Sequence, residues 1–238
     1  MKSLTTYIKL LKKEKKKFPS ASFLGLLKYY KAWTNSMQKN NTDMGDTPWM
    51  TFGAIDFLKA TANKKMRVFE YGSGSSTLFW ATRAKEIYSV EHDEAWAKNV
   101  QKELVSRNVS NVQLFFIQPE KRENGAEGSI ADPYQYGSDD SSFRKYSFEK
   151  YVKKIDEYPD NYFDFVIVDG RSRPSCIGAS ISKVKKDGYL LVDNSEREYY
   201  FSQTKQMLPE NQWKRMDFCG PIPGSKHFSQ TTLFKRLS

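Results

Sequence analysis

Cysteine and histidine are scarce, two of each in 238 residues. Cys176 and Cys219 are too few for a disulfide framework or a metal cluster. That usage fits a reducing cytoplasm. Long apolar runs are also missing. None approaches the ~20 residues that span a bilayer. Lysines interrupt the N-terminal segment throughout, so it has no signal-peptide core. Acids are scarce in one stretch: residues 1–40 hold ten lysines and a single acid, Glu14. That stretch carries +9 of the net charge of +10, leaving +1 for residues 41–238. A near-neutral body lacks the basic cleft that grips a nucleic-acid backbone, so a nucleic-acid partner is disfavoured. Disorder is excluded by an abundance, since aromatics make up 15% of the chain.

What is present begins with a basic helical extension, expected over residues 1–47. Leu4, Tyr7, Ile8, Leu10 and Leu11 recur at helical spacing over residues 3–17. Pro19 and Ser20 interrupt the pattern, and Ser20 or Ser22 can cap a second helix carrying Phe23, Leu24, Leu26, Leu27, Tyr30 and Trp33. Such an arm could dock on an acidic partner or an anionic membrane surface. It could equally pack on the body with its lysines in solvent. Residues 35–48 read as a linker. Trp49 and Thr51 precede a helix from Phe52 to Ala60. They could close over a ligand, or Thr51 could cap that helix with Trp49 stapling the turn.

Residues 68–74 read Val-Phe-Glu-Tyr-Gly-Ser-Gly, and Glu91 ends the next apolar run. A strand ending in a glycine loop lets backbone approach a ligand closely. An acid ending the following strand can accept both ribose hydroxyls. Glu70 would repel a pyrophosphate but would welcome a cationic amino-acid group. S-adenosylmethionine has that group, a ribose and no phosphate. The loop Glu70-Tyr71-Gly72-Ser73-Gly74-Ser75-Ser76, followed by Glu91, resembles the class I S-adenosylmethionine-dependent methyltransferases over residues 50–236. Ser76 stands where many members carry a third glycine. The resemblance implies cofactor contacts from Trp49, Thr51, Glu70, Tyr71, Gly72, Ser73, Gly74, Ser76, Glu91, His92, Gln118 and Asp169.

Strands are expected at 66–71, 86–91, 111–117, 163–169 and 187–193. They alternate with helices at 75–84, 93–107, 144–157, 173–184 and 196–207. This predicts an α/β fold: a Rossmann-like, mostly parallel sheet covered on both faces. Apolar runs at 212–218 and 229–236, joined by a turn-rich segment, predict a final antiparallel hairpin. The body, residues 48–238, is thus expected to be the methyltransferase domain. Residues 118–143 look like a long irregular loop, which in a compact domain is a lid, a binding loop or a disordered excursion.

Asp169, Asp193 and Asn194 end the last two parallel strands. They could hold Mg²⁺ or another divalent ion. The pattern resembles the metal site of catechol and caffeoyl-coenzyme A O-methyltransferases, except that Ser172 replaces their lysine. Without a metal, Asp169 would orient Arg171 or the cofactor, and Asp193-Asn194 would cap the next helix. Arg171 and Arg173 suit an anionic substrate group, or they pair with Asp169 and Glu196. His227, in the last loop, is a candidate base. Asp169, Arg171 and His227 are therefore the catalytic candidates. The expected reaction is methylation of a hydroxyl on a small molecule or glycan. Nucleic-acid methylation and a cofactor-binding scaffold are the alternatives.

Overall fold

The computed structural model describes residues 4–14, 16–18, 22–37 and 44–238. Among the described residues there are nine strands: β1 (Arg67–Tyr71), β2 (Glu86–Glu91), β3 (Val112–Phe116), β4 (Glu120–Lys121), β5 (Tyr146–Ser147), β6 (Phe163–Val168), β7 (Val184–Val192), β8 (Trp213–Pro221) and β9 (Phe228–Arg236). Eight α-helices, again among the described residues, accompany them: α1 (Leu4–Glu14), α2 (Phe23–Leu27), α3 (Tyr30–Ser36), α4 (Phe52–Thr61), α5 (Ser75–Ala81), α6 (Glu94–Ser106), α7 (Glu149–Lys153) and α8 (Arg173–Ser180). Seven strands form one sheet in the order β3-β2-β1-β6-β7-β9-β8. The first five are parallel, and β9 runs antiparallel to both β7 and β8. The α/β expectation and the terminal hairpin both hold.

Both faces of the sheet are buried, so β6 is apolar at nearly every position. Phe165 and Ile167 enter one core cluster, with Trp80 and Leu191. Val166 and Val168 enter the other, with Tyr71, Tyr151 and Cys176. This is the two-residue period of a strand. The N-terminal helices join the first cluster: Tyr7, Leu11 and Trp33 are fully or almost fully buried there. Each such side chain contributes roughly 1.5–3 kcal/mol of burial. Trp33 Nε1 donates to the Ser225 carbonyl at 2.7 Å, tying α3 to the β8–β9 turn. Packing on the body, one of the two readings of the arm, is what the described residues do.

Several elements differ from expectation. The second N-terminal helix divides into α2 and α3. Ser22 caps α2 through the Gly25 N–H. The Leu26 carbonyl accepts from the Tyr7 hydroxyl and the Tyr29 N–H, which closes α2 early. Ser20 and residues 38–43 of the expected linker lie outside the described residues, while Asn35 and Ser36 belong to α3. The expected helix at 196–207 is replaced by two short 3₁₀ turns, Glu198–Tyr200 and Lys205–Met207. Tyr199, Tyr200 and Phe201 all pack on the second cluster, and three consecutive residues cannot share one helix face. Residues 144–157 begin as β5, which pairs with β4, and only then become α7 and a 3₁₀ turn. The long loop is therefore closed at its base by a β-ribbon. Helix α8 stops at Ser180 because β7 starts at Val184, opposite Phe163.

Candidate functional site

The carboxyl ends of β1, β2, β6 and β7 lie on one edge of the sheet. Backbone bonds continue the ladder past the strands, from Gly72 N to Val90 O at 2.9 Å, Asp169 N to Tyr71 O at 3.0 Å and Asp193 N to Val168 O at 3.1 Å. This alignment brings the polar strand ends around one crevice of about 370 Å³. Its floor is the glycine loop, residues 72–76, with Gly170 beside it. Gly72 adopts φ +91°, which disfavours any side chain. A Cβ there would also lie 2.8 Å from Gly170 Cα.

Glu91 forms the second wall. Its Oε2 accepts from the Ser73 N–H at 3.0 Å and from Ser73 Oγ at 3.1 Å. Its Oε1 accepts from the N–H groups of His92 (2.7 Å) and Asp93 (2.9 Å). Burial pushes this carboxyl up, but the hydrogen bonds from His92 and Asp93 outweigh it and hold it below its usual range. His92 Nδ1 lies 2.8 Å from Glu91 Oε1, and its ring meets Phe143 edge-on from the long loop. Two tryptophans complete the enclosure. Trp96, in the first turn of α6, donates Nε1–H to the Ser73 carbonyl at 2.8 Å. Trp49 is 55% exposed and also lines the crevice.

Glu70 and Tyr71 lie outside the crevice lining. Glu70 is fully buried behind the glycine loop, where Oε2 accepts from Thr77 Oγ1 (2.5 Å) and Ser89 Oγ (2.9 Å). Thr77 Oγ1 also accepts from the Gly74 N–H, so Glu70 sets the shape of the loop through Thr77. Burial raises the Glu70 carboxyl to about 7, against the hydrogen bonds of Ser76, Thr77 and Ser89. Tyr71 points to the other face and donates to the Val152 carbonyl at 2.7 Å. Thr51 is buried against Thr231, with 3.1 Å between hydroxyls, and its side chain does not cap α4. Gln118 lines a separate depression beside Asp93. His227 sits in the β8–β9 turn, bonded through its N–H to Ser225 Oγ, and does not line the crevice.

The acidic strand ends do not form an open oxygen cluster. The Arg173 guanidinium lies between them, with Nη2 on Asp169 Oδ1 at 3.0 Å, Nη1 on the Asp193 carbonyl and Nε on the Gly170 carbonyl. Asp193 Oδ1 takes the Thr231 hydroxyl at 2.6 Å, and Asn194 Nδ2 donates to Ser229 Oγ. Among the described residues no group of three His, Cys, Asp or Glu side chains is placed to hold a metal ion. Of the two readings of these strand ends, a divalent ion or side-chain partners, the described residues supply partners: the Arg173 guanidinium for Asp169 and the Thr231 hydroxyl for Asp193. Burial and the neighbouring Asp169 push Asp193 up to about 8. Arg173 is thus structural, and Glu196 pairs with Lys17 at 3.6 Å instead. Arg171 lines the crevice and pairs with Asp140 of the long loop at 2.9 Å, not with Asp169.

Sequence reasoning missed Trp96 and Gly170. A tryptophan one turn beyond Glu91-His92-Asp93 was the available signal, since a helix start faces the same edge as the strand end before it. Arg171 Nε, at the crevice lining, is a buried polar atom without a partner among the described residues. Buried polar atoms are rarely left unpaired, and such a group beside a crevice favours a polar ligand.

A sheet of this order, with a glycine loop after its first central strand, has the fold of the class I S-adenosylmethionine-dependent methyltransferases. Solved structures match it. A methyltransferase-like protein from Silicibacter pomeroyi aligns with TM-score 0.53 at 20% identity, over 82% of this chain and 91% of its own. An rRNA methylase from Streptococcus thermophilus aligns with TM-score 0.53 at 12% identity, over 77% and 93%. The O-methyltransferase TomG from Streptomyces achromogenes, solved with S-adenosylmethionine, aligns with TM-score 0.51 at 14% identity, over 73% and 74%. No protein-family model and no curated protein matches the chain in sequence.

Proposed function

We propose that the protein is an S-adenosylmethionine-dependent methyltransferase that methylates a hydroxyl of a small molecule or glycan. One juxtaposition carries the reading. Glu91 stands across the Gly72-Ser73-Gly74 loop in a crevice walled by Trp49 and Trp96. An acid held ionised beside a side-chain-free loop suits a ribose and its attached base.

The residues fit the cofactor with one adjustment. The Glu91 carboxylate already accepts from four donors, about its full capacity. Three are backbone N–H groups. The fourth, Ser73 Oγ, is a rotor that can turn away for a ribose hydroxyl. The cofactor, when bound, supplies a sulfonium-activated methyl group. The chain supplies position and charge. Glu91 takes the ribose, and Trp49 and Trp96 shield the crevice from water. Asp169, at the crevice lining, accepts the proton that the acceptor hydroxyl loses as its new bond to carbon forms. Arg171 holds the acceptor side, since positioning provides much of the rate in such a transfer.

Nucleic acid is the weaker substrate class. The lysine excess lies in residues 1–40, and the crevice lining sets Glu91 and Asp169 against Arg171 alone among the described residues. Calorimetric titration with S-adenosylhomocysteine, followed by mass spectrometry of hydroxylated acceptors, tests the proposal. A wild-type protein with no affinity for the cofactor product would remove its basis.

A further inference from the structure

A second cavity, about 290 Å³, lies between α3, α4 and the β8–β9 turn. It shares Trp49 and Ser75 with the cofactor crevice, so one tryptophan stands in both linings. The N-terminal helices therefore build a chamber next to the crevice as well as filling the core. Tyr29 and Phe52, stacked with ring centroids 5.6 Å apart, form part of its apolar lining. Asn35, Asp56 and Lys59 add polar groups at the same lining. Asp56 accepts from the Tyr29 hydroxyl at 2.9 Å and pairs with Lys28 at 3.6 Å. Among the described residues, the side chains of Asn35 and Lys59 have no hydrogen-bond or ion-pair partner.

We infer that this chamber holds the body of the acceptor, a polyhydroxylated ring whose reacting hydroxyl enters the crevice toward Asp169 and Arg171 past the shared Trp49. The inference rests on the methyltransferase reading and deepens it. Three features argue for that occupant. The exposed face of Trp49 offers an aromatic platform, as amphipathic ligands require. Donors (Asn35, Lys59) and acceptors (Asn35, Asp56) share its lining, which suits hydroxyls that both give and take hydrogen bonds. The chamber's charges nearly balance, so it does not select an anion.

Asn35→Ala and Lys59→Ala test this, because both residues lie on exposed helix surface and outside the cofactor crevice. The probe is cellobiose, titrated by saturation-transfer NMR into the full chain with S-adenosylhomocysteine present, with catechol as the flat comparison. Each variant should weaken cellobiose binding by about fivefold, the scale of one hydrogen bond, while calorimetric affinity for S-adenosylhomocysteine stays unchanged. Intact S-adenosylhomocysteine binding with no cellobiose binding, with equal cellobiose binding by variants and wild type, or with preferential binding of catechol would overturn the subsite. Loss of S-adenosylhomocysteine binding by the wild type would instead overturn the methyltransferase reading.

Discussion

Gly72 and Gly170 meet backbone to backbone where β1 and β6 end. A Cβ added to Gly170 would lie 3.0 Å from Gly72 N and would collide with the Tyr151 hydroxyl. The crevice floor exists because neither residue has a side chain. Gly170→Ala should therefore cost about 1–3 kcal/mol of stability, the scale of overpacking a dense interior. Adding Tyr151→Phe should recover part of that loss by removing the colliding oxygen. Urea unfolding of the two single variants and the double variant gives the coupling. Strictly additive effects would mean that the two residues do not compete for this space.

Glu91 and Ser73 should behave oppositely toward the cofactor. Glu91→Ala removes the ribose acceptor and should weaken S-adenosylhomocysteine binding by about 1–3 kcal/mol. Ser73→Ala removes only the rotor that occupies the carboxylate and should leave affinity equal or slightly higher. Calorimetry on both variants decides. A large loss in Ser73→Ala would show that its hydroxyl contacts the ligand directly.

Glu70 predicts a pH dependence of stability. Its folded-state value, about 7, lies above the ordinary 4.5. Between those values the folded protein binds the proton that the unfolded chain releases. Stability should therefore fall as pH rises from about 4.5 to 7 and level off above that, by on the order of 3 kcal/mol for this group. Glu70→Gln keeps a hydrogen-bonding oxygen for Thr77 and Ser89 but cannot ionise. It should flatten this slope and stabilise the protein at pH 8 relative to wild type. Thermal unfolding at several pH values tests it, and an unchanged slope in the variant would contradict the assignment.

Arg173 should carry the charge balance of the acidic strand ends. Chelator should leave stability and cofactor affinity as they were. Arg173→Ala strands Asp169 without its partner and should cost about 3–5 kcal/mol, the range for breaking a buried pair. A stability loss on chelation that Mg²⁺ reverses would mean that a divalent ion, rather than the guanidinium, balances these carboxylates.

The parts of the site that were legible in the sequence are those set by chain order. Glycines after β1, an acid ending β2 and acids ending β6 and β7 must share one edge once the strands are parallel. Glu91, Ser73, Gly74 and Asp169 follow from that rule. The expected residues that lie outside the crevice lining are those whose side-chain direction or partner the rule leaves open. Tyr71 alternates onto the far face, and Glu70 turns back beneath its own loop. Thr51 finds Thr231, distant in sequence. Arg173, four residues from Asp169 on the first turn of α8, captures the acid that was expected to orient Arg171.

Hydrophobic period, the glycine loop and the strand-end acids follow from local chemistry, so the α/β architecture and the location of the crevice were determined by sequence alone. The fate of the N-terminal helices was not. Their lysine-rich pattern serves a free arm and a packed one equally well. Only the tertiary structure could decide, because the decision lies in partners far along the chain: Trp33 on the Ser225 carbonyl, and Tyr7 against Phe228 with ring centroids 6.4 Å apart. The same holds for the partner of Asp169. The Arg173 guanidinium reaches its carboxylate because of the path that α8 takes from the sheet edge, which no spacing of residue types encodes.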